Sequence, residues 1–125
     1  MSLNHVVAWI DHAEAHIIHF NPEAPESEAI KVASSYSHGH NKAGVDKAVN
    51  PADAVHYFDA VADAVKDAGA ILLVGPGMEK LALMKHLIKN QHLVAEKVVS
   101  VETVDHPNDA QLQNYARKYF DKNAK

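Results

Sequence analysis

The chain has 125 residues, 47% of them apolar, and carries 12 lysines and arginines against 16 aspartates and glutamates, a net charge of −4 with neutral histidines. That length fits one domain with its own core, and the apolar fraction excludes wholesale disorder. The acidic balance argues against tight, nonspecific binding of a nucleic-acid backbone, which needs a basic surface, so DNA is not expected as a partner.

There is no cysteine, which excludes disulfides and thiolate metal sites, while ten histidines make the charge sensitive to mild acid. The opening "MSLNHVVAWID" has no basic stretch leading into a long apolar run, and the longest apolar run, "AILLV", is too short to span a bilayer. The expectation is a cytoplasmic protein with no membrane segment.

In chain order, "HVVAWID" (5–11) is β-branched and aromatic and predicts a strand. "EAHIIHF" (14–20) predicts a second, close enough to form a tight hairpin with the first. "NPEAPES" (21–27) is a turn, and "EAIKVAS" (28–34) alternates in the manner of a half-buried third strand. The polar stretch "SSYSHGHNKAG" (34–44) opens a long connector. A first helix starts at "NPAD", with Asn50 as N-cap, Pro51 at the first helical position and Asp53 favourable to the positive end of the helix. Its predicted inner face is Val55, Phe58, Val61, Ala62 and Val65, and Gly69 ends it.

"AILLV" (70–74) predicts a strand covered on both faces. A Gly-Pro-Gly break leads to a second helix over 78–89, with Leu81, Met84, Leu87 and Ile88 expected inward. "EKVVSVETV" (96–104) predicts the last strand. "HPND" starts a third helix, where Asn108 and Gln111 have capping-box spacing and Leu112, Tyr115, Ala116, Tyr119 and Phe120 form the stripe. The last residues, "DKNAK", are expected to fray. The order β-β-β-α-β-α-β-α implies an α/β domain over 1–125: a five-stranded mixed sheet, three strands antiparallel and the last two parallel to the first, with helices on both faces.

Four features carry candidate chemistry. In "VGPGMEK", Gly75, Gly77 and Lys80 place backbone N–H groups and a cation at a helix N-terminus, an anion site or simply a tight turn; neither the P-loop pattern nor GxGxxG is present. Asp11 ends the first strand. It is a metal candidate if Glu14, Glu79, Asp105 or Asp109 converge on it, and otherwise a hairpin aspartate accepting backbone N–H bonds. His38 and His40, separated by one residue, would point the same way on an extended segment and offer two ligands to a divalent metal, with His12 or His106 as third-ligand candidates; the alternative is two exposed imidazoles. His16 and His19 fall on opposite strand faces and do not chelate together. If the topology holds, Asp11, Gly75, Gly77, Asp105 and His106 meet at the carboxyl edge of the strands, where α/β sheets place their sites. Ser100 and Thr103 have no visible partner for a triad.

The arrangement resembles the middle domain of the archaeal and eukaryotic-type release-factor and Pelota families, and is also ribonuclease H-like in its strand order. "VVAWIDHAEAHIIHF" is similar to that domain's opening hairpin, "HYFDAVADAV" to its first long helix, and "KVVSVETVDHPNDAQL" to its last strand and helix. "ILLVGPGMEK" is the most specific piece. Short bacterial chains of this type are labelled translational machinery proteins.

In the release factors, the resemblance implies, the connector between third strand and first helix carries Gly-Gly-Gln, which promotes water attack on the peptidyl-tRNA ester. Here that slot holds "SHGHNKAG", with neither Gly-Gly nor Gln, so no catalytic residue carries over. The expectation from 125 residues is a chain without the family's codon-reading and partner-binding domains. The resemblance implies a non-catalytic domain binding the ribosome, tRNA or a translation factor through His38, His40, Asn41, Lys42, Gly44 and Lys47, with no cofactor. The alternative is a metal-dependent hydrolase or nuclease built on Asp11, Asp105 and the loop histidines. A homo-oligomeric scaffold is a third reading, allowed by an exposed hairpin edge.

Overall fold

The computed structural model describes residues 4–21, 23–24, 26–33 and 51–122. The elements are β1 (His5–Ile10), β2 (Glu14–Phe20), β3 (Ser27–Ala33), α1 (Pro51–Val65), β4 (Ala70–Gly75), α2 (Glu79–Asn90), α3 (His92–Ala95), β5 (Val98–Thr103) and α4 (Asp109–Lys122). They form a five-stranded sheet in the order β3-β2-β1-β4-β5. β1, β2 and β3 pair antiparallel, β4 runs parallel to β1, and β5 runs parallel to β4, as the element order implied. The expected Asn50 cap, residue 34 of the expected third strand and residues 123–125 of the end expected to fray lie outside the described residues, while 121 and 122 belong to α4.

Strand alternation divides the interior into two cores. Val6, Ala8 and Ile10 of β1 and Ile71 and Leu73 of β4 face α1, α2 and α3. Val7 and Trp9, with Leu72 and Val74, face α4. The two central strands are buried on both sides, which is why "AILLV" shows no alternation. Fully burying each such side chain stabilises the fold by about 1.5–3 kcal/mol.

The helices differ from expectation in phase. In α1, Phe58, Val61, Ala62 and Val65 are buried, but Tyr57 takes the inner place expected of Val55, which is 44% exposed. In α2, Leu87 is buried and Met84 packs partly buried against the core, as expected, whereas Leu81 and Ile88 face out and Lys80 and Leu83 take inner places. Both positions 80/83/87 and 81/84/88 have i, i+3, i+7 spacing, so periodicity alone cannot choose between them. The 75–78 turn fixes where the helix starts and hence its rotation. The expected rotation is therefore corrected by about one residue. α4 matches its expectation: Asn108 and Gln111 exchange reciprocal backbone-to-side-chain bonds of 3.0 and 2.8 Å, and Leu112, Ala116 and Phe120 are buried.

Polar pins join the layers. His86 Nε2 lies 2.7 Å from Asp59 Oδ1, tying α2 to α1. Arg117 on α4 donates to the Asn21 carbonyl at 3.0 Å and lies over the Phe20 ring, holding the β2–β3 turn. Gly69 donates to the Asn4 carbonyl at 2.8 Å, and a β-carbon there would sit 2.5 Å from the Asn4 side chain. No described helix is long and apolar enough to cross a membrane.

Candidate functional site

Parallel strands bring their carboxyl ends to one edge of the sheet. β1 leads there into Asp11, β4 ends at Gly75, and β5 leads into Val104, Asp105 and His106. Asp11 Oδ1 accepts the N–H groups of Ala13 and Glu14 at 2.8 and 2.9 Å, and the backbone N–H of Asp11 donates to the Glu14 carbonyl. One carboxylate oxygen is thereby committed to shaping the hairpin. The other, Oδ2, lies 3.7 Å from His106 Nε2. The Asp11 carbonyl accepts from the Tyr57 hydroxyl at 2.7 Å, so α1 is fastened to the same corner.

Gly75 is required by close approach. A β-carbon there would lie 2.3 Å from the Ile10 carbonyl oxygen, and the Gly75 carbonyl accepts from Val104 N–H at 3.0 Å. The three strand ends are thus held together. At Gly77 a β-carbon would meet nothing within 4 Å. Lys80 is only 6% exposed, and its ammonium donates to the Gly77 carbonyl at 2.6 Å. The lysine folds back under its own turn, satisfying a carbonyl and placing a positive charge at the helix N-terminus, where the macrodipole is unfavourable to it.

Trp9, the only tryptophan, organises the edge. Its Nε1 donates to the carbonyls of Asp105, at 2.6 Å, and Val104, at 3.2 Å. His16 lies 5.5 Å from the indole and His106 lies 5.1 Å from it. Each imidazole stands between two carboxylates. His16 approaches Glu14 at 2.8 Å and Asp109 at 3.3 Å, and His106 approaches Asp105 at 3.0 Å as well as Asp11. Hydrogen bonding from His16, aided by Lys31 at 3.2 Å, holds the Glu14 carboxyl below its usual range against the opposing effect of partial burial. At the β5–α4 seam, the Tyr115 hydroxyl donates to Glu102, and burial followed by this bond pushes the phenol up to about 12.

The edge therefore gathers Asp11, Gly75, Asp105 and His106, as the topology implied, while Gly77 and Lys80 engage each other. Trp9 was not singled out from sequence, and His16 was read only as lying on the opposite strand face from His19, which it does. The signal was present in the hairpin register, which pairs Trp9 with His16 across the strands. His16 faces α4, while His19 faces α1 and sits 2.7 Å from the Ala64 carbonyl. Among the described residues no three His, Asp or Glu side chains form a metal-holding group. The edge thus sets the carboxylates of Asp11, Glu14, Asp105 and Asp109 beside His16 and His106, with Lys31 on Glu14. His38, His40, Asn41, Lys42, Gly44 and Lys47 lie outside the described residues.

No protein-family model matches the sequence, and a comparison with curated protein sequences finds no match. Solved structures do match. The Pelota protein of Archaeoglobus fulgidus superposes with a TM-score of 0.62 at 16% identity, over 91% of this chain and 30% of that one. The archaeal translation termination factor aRF1 gives 0.59 at 10% identity, over 94% of this chain and 39% of that one. Dom34 of Saccharomyces cerevisiae, described as a translation termination-like factor involved in RNA quality control pathways and interacting with Hbs1, gives 0.51 at 10% identity, over 93% of this chain and 36% of that one. The fold is thus that of a domain in the Pelota and archaeal release-factor structures, as the sequence resemblance implied. The chain spans 30–39% of their length.

Proposed function

We propose that this chain is a non-catalytic, translation-associated binding domain that meets the ribosome, tRNA or a translation factor through its 34–49 segment. The observation that carries the reading is the fold, shared over more than nine-tenths of the chain with proteins described as termination or termination-like factors. The missing Gly-Gly-Gln in the connector between β3 and α1 supports binding without ester hydrolysis. The described carboxyl edge is acidic, and the net charge is −4, so a protein surface or a weak RNA contact fits better than a long phosphate track. His38, His40, Lys42 and Lys47 are the groups in the connector that would carry positive charge to such a contact.

The test is co-sedimentation of the purified chain with ribosomes over a salt series. The reading predicts association at low salt that weakens as salt rises. No association at low salt overturns it.

A further inference from the structure

Three histidines among the described residues meet side-chain partners at both ring nitrogens, and the partners differ. His86 Nε2 faces the Asp59 carboxylate at 2.7 Å, while its Nδ1 faces the Asn90 amide nitrogen at 3.3 Å. An acceptor at one nitrogen and a donor at the other suit the neutral ring. His106 approaches Asp105 at 3.0 Å, but its second carboxylate, Asp11, stands 3.7 Å away, beyond hydrogen-bond distance. His16 is the case apart. Its Nε2 lies 2.8 Å from Glu14 Oε2 and its Nδ1 lies 3.3 Å from Asp109 Oδ1, so a carboxylate oxygen faces each nitrogen. Neutral imidazole carries one N–H and donates to one of them, leaving its other lone pair turned towards an anion. Imidazolium donates to both.

The two carboxylates belong to different layers. Glu14 opens β2, and Asp109 is the first residue of α4, where the helix dipole favours a negative charge. From β3, Lys31 stands opposite His16 in the register and pairs with Glu14 at 3.2 Å. Its ammonium opposes charge on the ring, but it is mostly exposed and so is screened. From β1, the indole of Trp9 packs against the ring, and His106, with Asp11 and Asp105, meets the same indole.

We infer that His16 is a pH-dependent clamp: in mild acid its imidazolium ties the β1–β2 hairpin to the first turn of α4, and in mild alkali that tie is released. The neutral ring keeps its shorter contact, to Glu14, and gives up Asp109. The stabilisation is fully present while the ring is protonated and fades as pH rises. The clamp lies in the described carboxyl edge and does not depend on the 34–49 contact.

Urea denaturation of the full chain at about pH 5.5 and about pH 8 provides the test. Comparing wild type with His16→Gln at each pH cancels the other titrating groups. The wild-type midpoint should exceed that of His16→Gln by about 0.2–0.5 M more at the lower pH than at the higher. In an Asp109→Asn background that pH-dependent gain should fall by about half, because one of the two carboxylates is gone. An advantage that is equal at both pH values, or larger at the higher, overturns the inference. A gain that Asp109→Asn leaves intact overturns the tie to α4. Should His16→Gln fail to fold, emission from Trp9, the only tryptophan, decides. Its change between the two pH values should be smaller in Asp109→Asn than in wild type, and equal changes overturn the inference.

Discussion

Gly75 and Gly77 stand two residues apart in one turn and have opposite sensitivities. At Gly75 the new methyl of Gly75→Ala meets backbone at 2.3 Å, which cannot swing aside, so the strand ends must separate. The expected loss is about 1–3 kcal/mol. Gly77→Ala meets open space and should stay within about 0.5 kcal/mol of wild type. Urea denaturation of both variants checks the pair, and equal losses would contradict the close-approach account. His5 gives a second expectation at this scale. Its ring packs 4.7 Å from Phe120, its Nδ1 has no hydrogen-bond partner among the described residues, and burial lowers its pKa from the ordinary 6.5 against a weaker opposing pull from Glu23. As pH falls through about 6.5 the unfolded chain takes up a proton that the folded chain resists, so stability drops. Glu14, whose folded pKa is depressed, contributes stability above its ordinary 4.5 that is lost as pH falls through its folded value. His5→Leu should flatten the first loss and leave the second, as read from denaturation midpoints at a series of pH values.

At the scale of elements, α2 offers a direct comparison of two leucines. Leu83→Ala empties a 1%-exposed site and should cost about 2–5 kcal/mol. Leu81→Ala, at the outer face, should cost at most about 0.5 kcal/mol. The reverse ranking would mean that the helix rotation is wrong. In α4, Asn108→Ala removes the acceptor for Gln111 N–H and should cost about 1 kcal/mol. Legibility in the sequence followed from how strongly each element is over-determined. β4 was legible because its five apolar residues, bounded by Gly69 and the Gly-Pro-Gly break, are too few for a helix and suit a doubly covered strand, and α4 because its capping box fixes the start of its stripe. The inner face of α2 was not, since two apolar stripes one residue apart compete and only the preceding turn decides between them. The Trp9–His16–His106 cluster depends on β1–β2 register and on β5 lying beside β4, so no local pattern reveals it. Asp11, Asp105 and His106 were legible because chain order alone places them at the carboxyl edge.

For the whole molecule, the sheet order and the parallel placement of β4 and β5 follow from the order of elements, and the fold is one found in Pelota and aRF1. In the proposed functional reading, the sheet carries a 34–49 connector without Gly-Gly-Gln, and the outer face of α2 separately exposes Leu81 and Ile88. These two surfaces can be separated experimentally. Leu81→Glu/Ile88→Glu changes the exposed outer face of α2 and leaves the sequence of the 34–49 segment untouched, whereas Lys42→Ala/Lys47→Ala does the reverse. The most direct measurement is ribosome co-sedimentation at low salt with wild type and Lys42→Ala/Lys47→Ala side by side. The account predicts that wild type pellets with ribosomes, that added salt releases it, and that the lysine variant pellets less. Wild type remaining in the supernatant at low salt would contradict it.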